Sequence, residues 1–142
     1  MKKLFTFFLL TISISYSAAI RFVDPNLGSG NGTTHFNTVA SAVAASQDGD
    51  DIVLTSGTYS ENTLAISTSI KLYPENVGDA VTFNFDINIT GKAGLNVEIF
   101  DINFESMYSQ NTGSWSSNRP KVYITESSAS TIDLNDNYWD LY

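Results

Sequence analysis

Residues 36–62 read FNTVASAVAASQDGDDIVLTSGTYSEN, and the two halves of this stretch follow different periods. In the first half Phe36, Val39, Ala40, Val43 and Ala44 recur at i, i+3, i+4, i+7 and i+8, which is one face of a helix. Thr34 is the expected N-cap, and Gly49, between Asp48 and Asp50, closes the segment. An alanine-rich helix of this kind packs close against something flat. One helix cannot fill a core, so its partner must be sheet. The second half supplies the first of it: Asp51 to Thr55 (DIVLT) is apolar and β-branched, and Ser56-Gly57-Thr58-Tyr59 is a turn.

Downstream the chain reads as short strands separated by turns. Leu64-Ala65-Ile66 and Ser69 to Tyr73 (SIKLY) come first. From Val81 to Ile89 the alternation is strict, with Val81, Phe83, Phe85, Ile87 and Ile89 on one face and Thr82, Asn84, Asp86 and Asn88 on the other. After a turn at Gly91 and Gly94, Leu95, Val97 and Ile99 point one way, but Phe100, Ile102 and Phe104 continue in the opposite phase. A slip at Ile99-Phe100 is what a bulge or a bend between two sheets produces. Ser109 to Pro120 reads as a polar loop, and Lys121 to Thr125 and Ser130 to Leu134 as later strands. The string Phe-Asp-Ile-Asn occurs at 85–88 and again at 100–103, a weak repeat of the sort stacked coils generate.

Upstream, Ile20 to Val23 is a short strand ended by Asp24-Pro25-Asn26. The loop Leu27 to Thr34 carries Gly28, Gly30 and Gly32, positions that permit positive φ. Their spacing matches neither phosphate-cradling nor dinucleotide-binding loops. Residues 1–19 have the plan of a secretory leader: Lys2 and Lys3, an apolar run from Leu4 to Ile14, and Ser17 and Ala19 at the −3 and −1 positions of a cleavage site. That run is too short to span a bilayer, and no second one follows, so no membrane span is expected. Cleavage after Ala19 leaves a single domain over 20–142, with the opening strand and cap helix in 20–50 and the coils in 51–142. Such a product is secreted or held at the cell surface.

Composition bounds the partners. The 142 residues include 7 basic and 15 acidic side chains, for a formal charge of −8, and loss of Lys2 and Lys3 deepens it by two. Nucleic acid, which needs a basic footprint, is excluded as a partner. The absence of cysteine excludes a disulfide scaffold and thiolate metal sites. An exported chain without cysteine fits a bacterial source better than a eukaryotic secreted one.

Three segments together resemble the N-terminal portion of secreted right-handed parallel β-helix proteins, the pectin-lyase-like superfamily. They are Phe22-Val23-Asp24-Pro25-Asn26 with its glycine-rich loop; Phe36-Asn37-Thr38-Val39 through Ala42, Val43, Ala44 and Ala45 to Gly49-Asp50; and Asp51-Ile52-Val53-Leu54 followed by Ser56-Gly57-Thr58-Tyr59-Ser60-Glu61-Asn62. Near the C-terminus, Ile132-Asp133-Leu134-Asn135-Asp136-Asn137-Tyr138-Trp139 is similar to the Asn-Tyr-Trp-Gly turn of such helices, with Asp140 where glycine is usual. The resemblance implies an all-β fold: a short right-handed parallel β-helix whose N-terminal α-helix caps the first coil, with about four coils after it. The rival architecture, an antiparallel β-sandwich, explains the alternation but gives no role to the helix.

Lyases of that superfamily use an Arg or Lys base and acidic calcium ligands. Of Arg21, Lys71, Lys92, Arg119 and Lys121, none stands in a matching motif, so no catalytic residue is carried over. Glycoside hydrolysis needs two carboxylates across a sugar. Asp86, Glu98, Asp101 and Glu105 alternate with apolar residues and so face outward, where a solvated strand face is the simpler account. With Asn88 and Asn103 they form the candidate ligand-binding set. No cofactor is expected, and Ca²⁺ lacks a motif. His35, the sole histidine, reads as a helix-start residue. Tyr59, Tyr73, Tyr108, Trp115 and Tyr123 are aromatics suited to stacking on sugar rings or to covering the solenoid edge. The expected function is an exported, non-catalytic module that contacts extracellular polysaccharide, with self-association through an open C-terminal edge. The alternative is a truncated or partial polysaccharide lyase or glycoside hydrolase.

Overall fold

A computed structural model describes residues 17–111, 118–134 and 140–142. The leader expected over 1–19 lies outside these residues except for its last three, and so do Trp115 and most of the Asn-Tyr-Trp turn. The chain is a parallel β-solenoid of about three turns. β1 (Ile20–Val23) and β2 (His35–Phe36) precede α1 (Val39–Ala45), the one helix among the described residues. The first coil contains β3 (Asp50–Leu54), β4 (Gly57–Tyr59) and β5 (Leu64–Ile66). The second contains β6 (Ile70–Pro74), β7 (Val81–Phe83) and β8 (Ile87–Gly91). β9 (Asn96–Phe100) and β10 (Asn103–Asn111) form the third. β11 (Lys121–Thr125), β12 (Ser128–Asp133) and β13 (Asp140–Leu141) follow. Among the described residues every strand pair is parallel, which excludes the sandwich.

The strands stack into two sheets, one ordered β13-β11-β9-β6-β3-β1-β2, the other β4-β7-β10-β8-β5 with β12 on β10. The long β10 bridges two shorter stacks. Its first residues pair with β7, Phe104 facing Phe83, and its later ones with β8, Met107 facing Ile87. Four residues separate Phe83 from Ile87 but three separate Phe104 from Met107, so β7–β8 holds one extra residue, as in a bulge. The single alternating run from Val81 to Ile89 is therefore two strands, although Val81, Phe83, Phe85, Ile87 and Ile89 are all buried as the pattern requires.

The core is one cluster from Val23 to Leu134, with Ile52, Leu54, Ile66, Leu72, Ile87, Ile89, Val97 and Ile99 at 1% exposure or less. Each such side chain contributes about 1.5–3 kcal/mol relative to an exposed position. Corners between sheets need backbone that turns sharply. Asp101, at φ 51°, makes one of them between β9 and β10. The phase slip thus falls at Asp101, leaving Phe100 on the outside while Ile102 and Phe104 point in. The two Phe-Asp-Ile-Asn strings are not equivalent: the first enters β8, the second spans this corner.

The helix starts later than its apolar pattern suggests. Thr38, not Thr34, is the N-cap, accepting from the Ser41 N–H, and the buried face is Val39, Ala42 and Val43, with Ala40 and Ala44 exposed. Phe36 and His35 belong to β2, so His35 is a strand residue, stacked on Phe22 with ring centroids 5.4 Å apart. Glu61, from the loop after β4, reaches back to accept from the Val39 and Ala40 N–H groups at 2.6 and 2.9 Å. Two orphan donors of the helix are thereby satisfied by the first coil, which fixes the cap upon it. In the glycine-rich loop only Gly32 has positive φ. Gly30 is needed for another reason: a Cβ there would collide with the His35 carbonyl oxygen and lie 2.8 Å from the Phe36 Cα.

Candidate functional site

Several sequence candidates are absorbed by structure. Arg21 is buried and donates to Asp50 Oδ2 through Nε (3.1 Å) and a terminal nitrogen (2.8 Å), and to the Thr33 carbonyl at 2.7 Å. Asp50 also accepts from the backbone N–H groups of Ala19 and Gln47 at 2.8 and 2.9 Å. Burial opposes ionisation of Asp50, but these N–H donors and the Arg21 guanidinium outweigh it and hold the carboxyl below its ordinary range. Lys92 pairs with Asp48 at 3.0 Å. Tyr59 is not a surface platform. It lies in the core, donating to the Val23 and Thr55 carbonyls at 3.0 and 2.8 Å, and burial pushes its hydroxyl up to about 12.

The outer face of the seven-stranded sheet is different. Register aligns His35 with Phe22, Phe22 with Val53 and Val53 with Tyr73, and continuation of the β6–β9 register sets Tyr73 beside Phe100. Strands lie about 4.8 Å apart, so this outward file runs about 19 Å along the solenoid axis. Val53 is buried within it although it faces away from the main core. Two adjoining hollows follow the file. One, of about 380 Å³, is lined by Lys71, Tyr73, Pro74, Glu75, Val77, Glu98 and Phe100 among others. The other, of about 350 Å³, is lined by Phe22, Asp24, Leu27, His35, Thr55 and Glu75 among others. Glu75 lines both, so they form one groove walled by the loops after β1 and β6. Val77, at the tip of the second loop, is 89% exposed. The Tyr73 hydroxyl donates to Asp51 at 3.2 Å, and burial together with the Asp51 charge raises its pKa. Lys71 pairs with Glu98 at 3.2 Å, and Asn96 donates to the same carboxylate at 3.0 Å.

Of the six predicted ligand-binding residues, only Glu98 lines this groove. Asp86 and Asn88 are half-buried at and just before β8 in the other sheet. Asn103 and Glu105 are exposed on β10, where Asn103 accepts from the Ser128 hydroxyl. Asp101 sits at the corner and accepts from the Gly78 N–H at 3.3 Å. The set is thus divided between two faces. Sequence reading named Tyr73 but missed Phe22, Val53, Glu75, Val77 and Phe100. For the strand residues the available signal was parity: Phe22 in IRFV and Val53 in DIVL lie between buried residues and Phe100 follows buried Ile99, but they align only once the coil register is known. Among the described residues, no group of three or more His, Cys, Asp or Glu is placed to hold a metal ion, and no helix is long and apolar enough to cross a membrane. No protein-family model, curated protein or solved structure matches the chain.

Proposed function

We propose that the protein is an exported, non-catalytic β-solenoid module that binds polysaccharide outside the cell or at its surface, and that it is a short relative of the pectin-lyase-like β-helices. One observation carries the reading: an outward file of aromatic side chains, His35 stacked on Phe22, then Tyr73 and Phe100 beyond Val53, lies in a groove that runs across strands. Pyranose rings offer flat C–H faces to aromatic platforms, and an elongated groove suits a polymer. Four of the strands beneath, β1, β3, β6 and β9, are paired on both sides, so most of the floor offers no free edge for an extended peptide to extend the sheet. The leader-like N-terminus and the parallel solenoid with its N-terminal cap support export and the family reading.

The hydrolase alternative draws on one fact, that Glu75 and Glu98 line the same groove. A binding and turnover assay separates the two. Purified protein is incubated with a panel of insoluble and soluble polysaccharides, scoring both retention and release of reducing or unsaturated ends. The expected result is retention without product, lost in Tyr73→Ala/Phe100→Ala and kept in Asn88→Ala/Asn103→Ala. Product release would replace the binding reading. Retention that survives the aromatic double variant would move the site elsewhere.

A further inference from the structure

The charge of the groove narrows its ligand. Asp24, Glu75 and Glu98 line it, and Asp51 stands behind Tyr73 as acceptor for its hydroxyl. Against these carboxylates, Lys71 is the one Lys or Arg among the described residues that line either hollow, and it is tied to Glu98. Lys121 lies farther along the same sheet, 6.0 Å over the Tyr142 ring. The carboxylates are not equally occupied. Glu98 has Lys71 and Asn96, and Asp24 accepts from the Asn26 N–H. Glu75 lines both hollows and makes no side-chain hydrogen bond or ion pair with any described residue. An acidic polysaccharide laid here would bring like charges together, with no unpaired Lys or Arg among the described residues that line the groove to compensate them.

We propose that the groove takes an amino-bearing polysaccharide, a polymer of hexosamine with free ammonium groups. Its ring faces lie on Phe22, Tyr73 and Phe100, and an ammonium is held by Glu75. This rests on the glycan-binding reading above and sets its substrate class. The aromatic faces and the carboxylates act on the same ligand: an ammonium beside Tyr73 gains both the ring quadrupole and the Glu75 charge. Val77, extended over the groove from its loop, supplies an apolar contact that a fully hydrated ion would not use.

Isothermal titration of the purified protein with β-1,4-linked oligomers of glucosamine, N-acetylglucosamine and galacturonate, all of one length, tests this, with oligolysine as a fourth ligand. Glucosamine oligomers are expected to bind about three- to five-fold more tightly than their N-acetylated counterparts, the contribution of one partly exposed ion pair. That advantage should shrink at high salt and vanish in Glu75→Gln, whose unfolding midpoint should match the parent because the side chain is exposed. Equal binding of the acetylated and free-amine oligomers, or tighter binding of galacturonate, would overturn the inference and leave the glycan-binding reading standing. Oligolysine binding more tightly than every sugar would overturn it in favour of a basic protein partner. No binding of any carbohydrate here or in the polysaccharide panel would remove the glycan-binding reading itself.

Discussion

The two flanks of the solenoid are finished in different ways. On the N-terminal flank, α1 closes the first coils: Val39 and Ala42 are fully buried, and polar groups are matched, Arg21 with Asp50 and Thr33, Glu61 with two helix amides. On the other flank, β12 lies on β10 with five of its six residues exposed. Ile132 is 40% exposed although its register partner Met107 is completely buried. Sequence character does not make this difference, since both residues are large and apolar. A strand in such a stack is buried by what lies on each side of it. The short helix takes the place of a coil through its buried Val39, Ala42 and Val43 and through the bonds of Glu61 to its first amides.

That contrast can be broken or sharpened by substitution. The largest expected effect is at Arg21. Arg21→Met leaves Asp50 charged and buried without its guanidinium, at a cost of about 3–5 kcal/mol in urea unfolding, whereas Lys71→Met at the exposed pair should cost about 0–1 kcal/mol. The same carboxyl shapes the pH dependence. Because the folded-state pKa of Asp50 is lowered from 3.8, its contribution is fully present above that value and is lost as pH falls toward the folded value. The acid limb of the stability profile should therefore flatten in Asp50→Asn, and an unchanged limb would show that other carboxyls govern it. Next in size, Glu61→Ala removes the acceptor for two helix amides and should cost about 0.5–2 kcal/mol, with faster hydrogen exchange at Val39 and Ala40. Smallest is Ile132→Ser, expected to stay within about 0.5 kcal/mol of the parent as surface changes do. A loss above 2 kcal/mol there would mean that this flank is covered in solution, and the contrast would fail.

Much of the architecture was legible because solenoid strands announce themselves by alternation. Val81, Phe83, Phe85, Ile87 and Ile89 are buried as their period requires, and the alanine-rich segment is a cap helix. What misled was local chemistry with two solutions. Thr34 and Thr38 are equally good caps by type, and only the pairing of His35-Phe36 with β1 decides between them. Phe100 and Ile102 are both apolar, and only the left-handed Asp101 between them sends one outward and the other in. The groove was less legible still. Asp86, Asn88, Asn103 and Glu105 have the outward spacing of a ligand face, but they lie in or beside the other sheet, away from the groove. The groove residues come from five strands and the loops that follow them, distant in sequence, and their adjacency exists only in the register.

That register makes the outer face a ruler. Asp50 pairs with Ile70 and Ile70 with Val97, so one coil takes 20 residues and the next 27, yet each advances the file of rings by the same strand spacing of about 4.8 Å. Turns can gain or lose residues without disturbing the graduation, while a single residue inserted within β6 would send Tyr73 inward and erase a mark. Grafting a duplicated second coil should lengthen this face by one fixed increment, and under the proposed glycan-binding reading the preferred oligomer length becomes a property set by coil number.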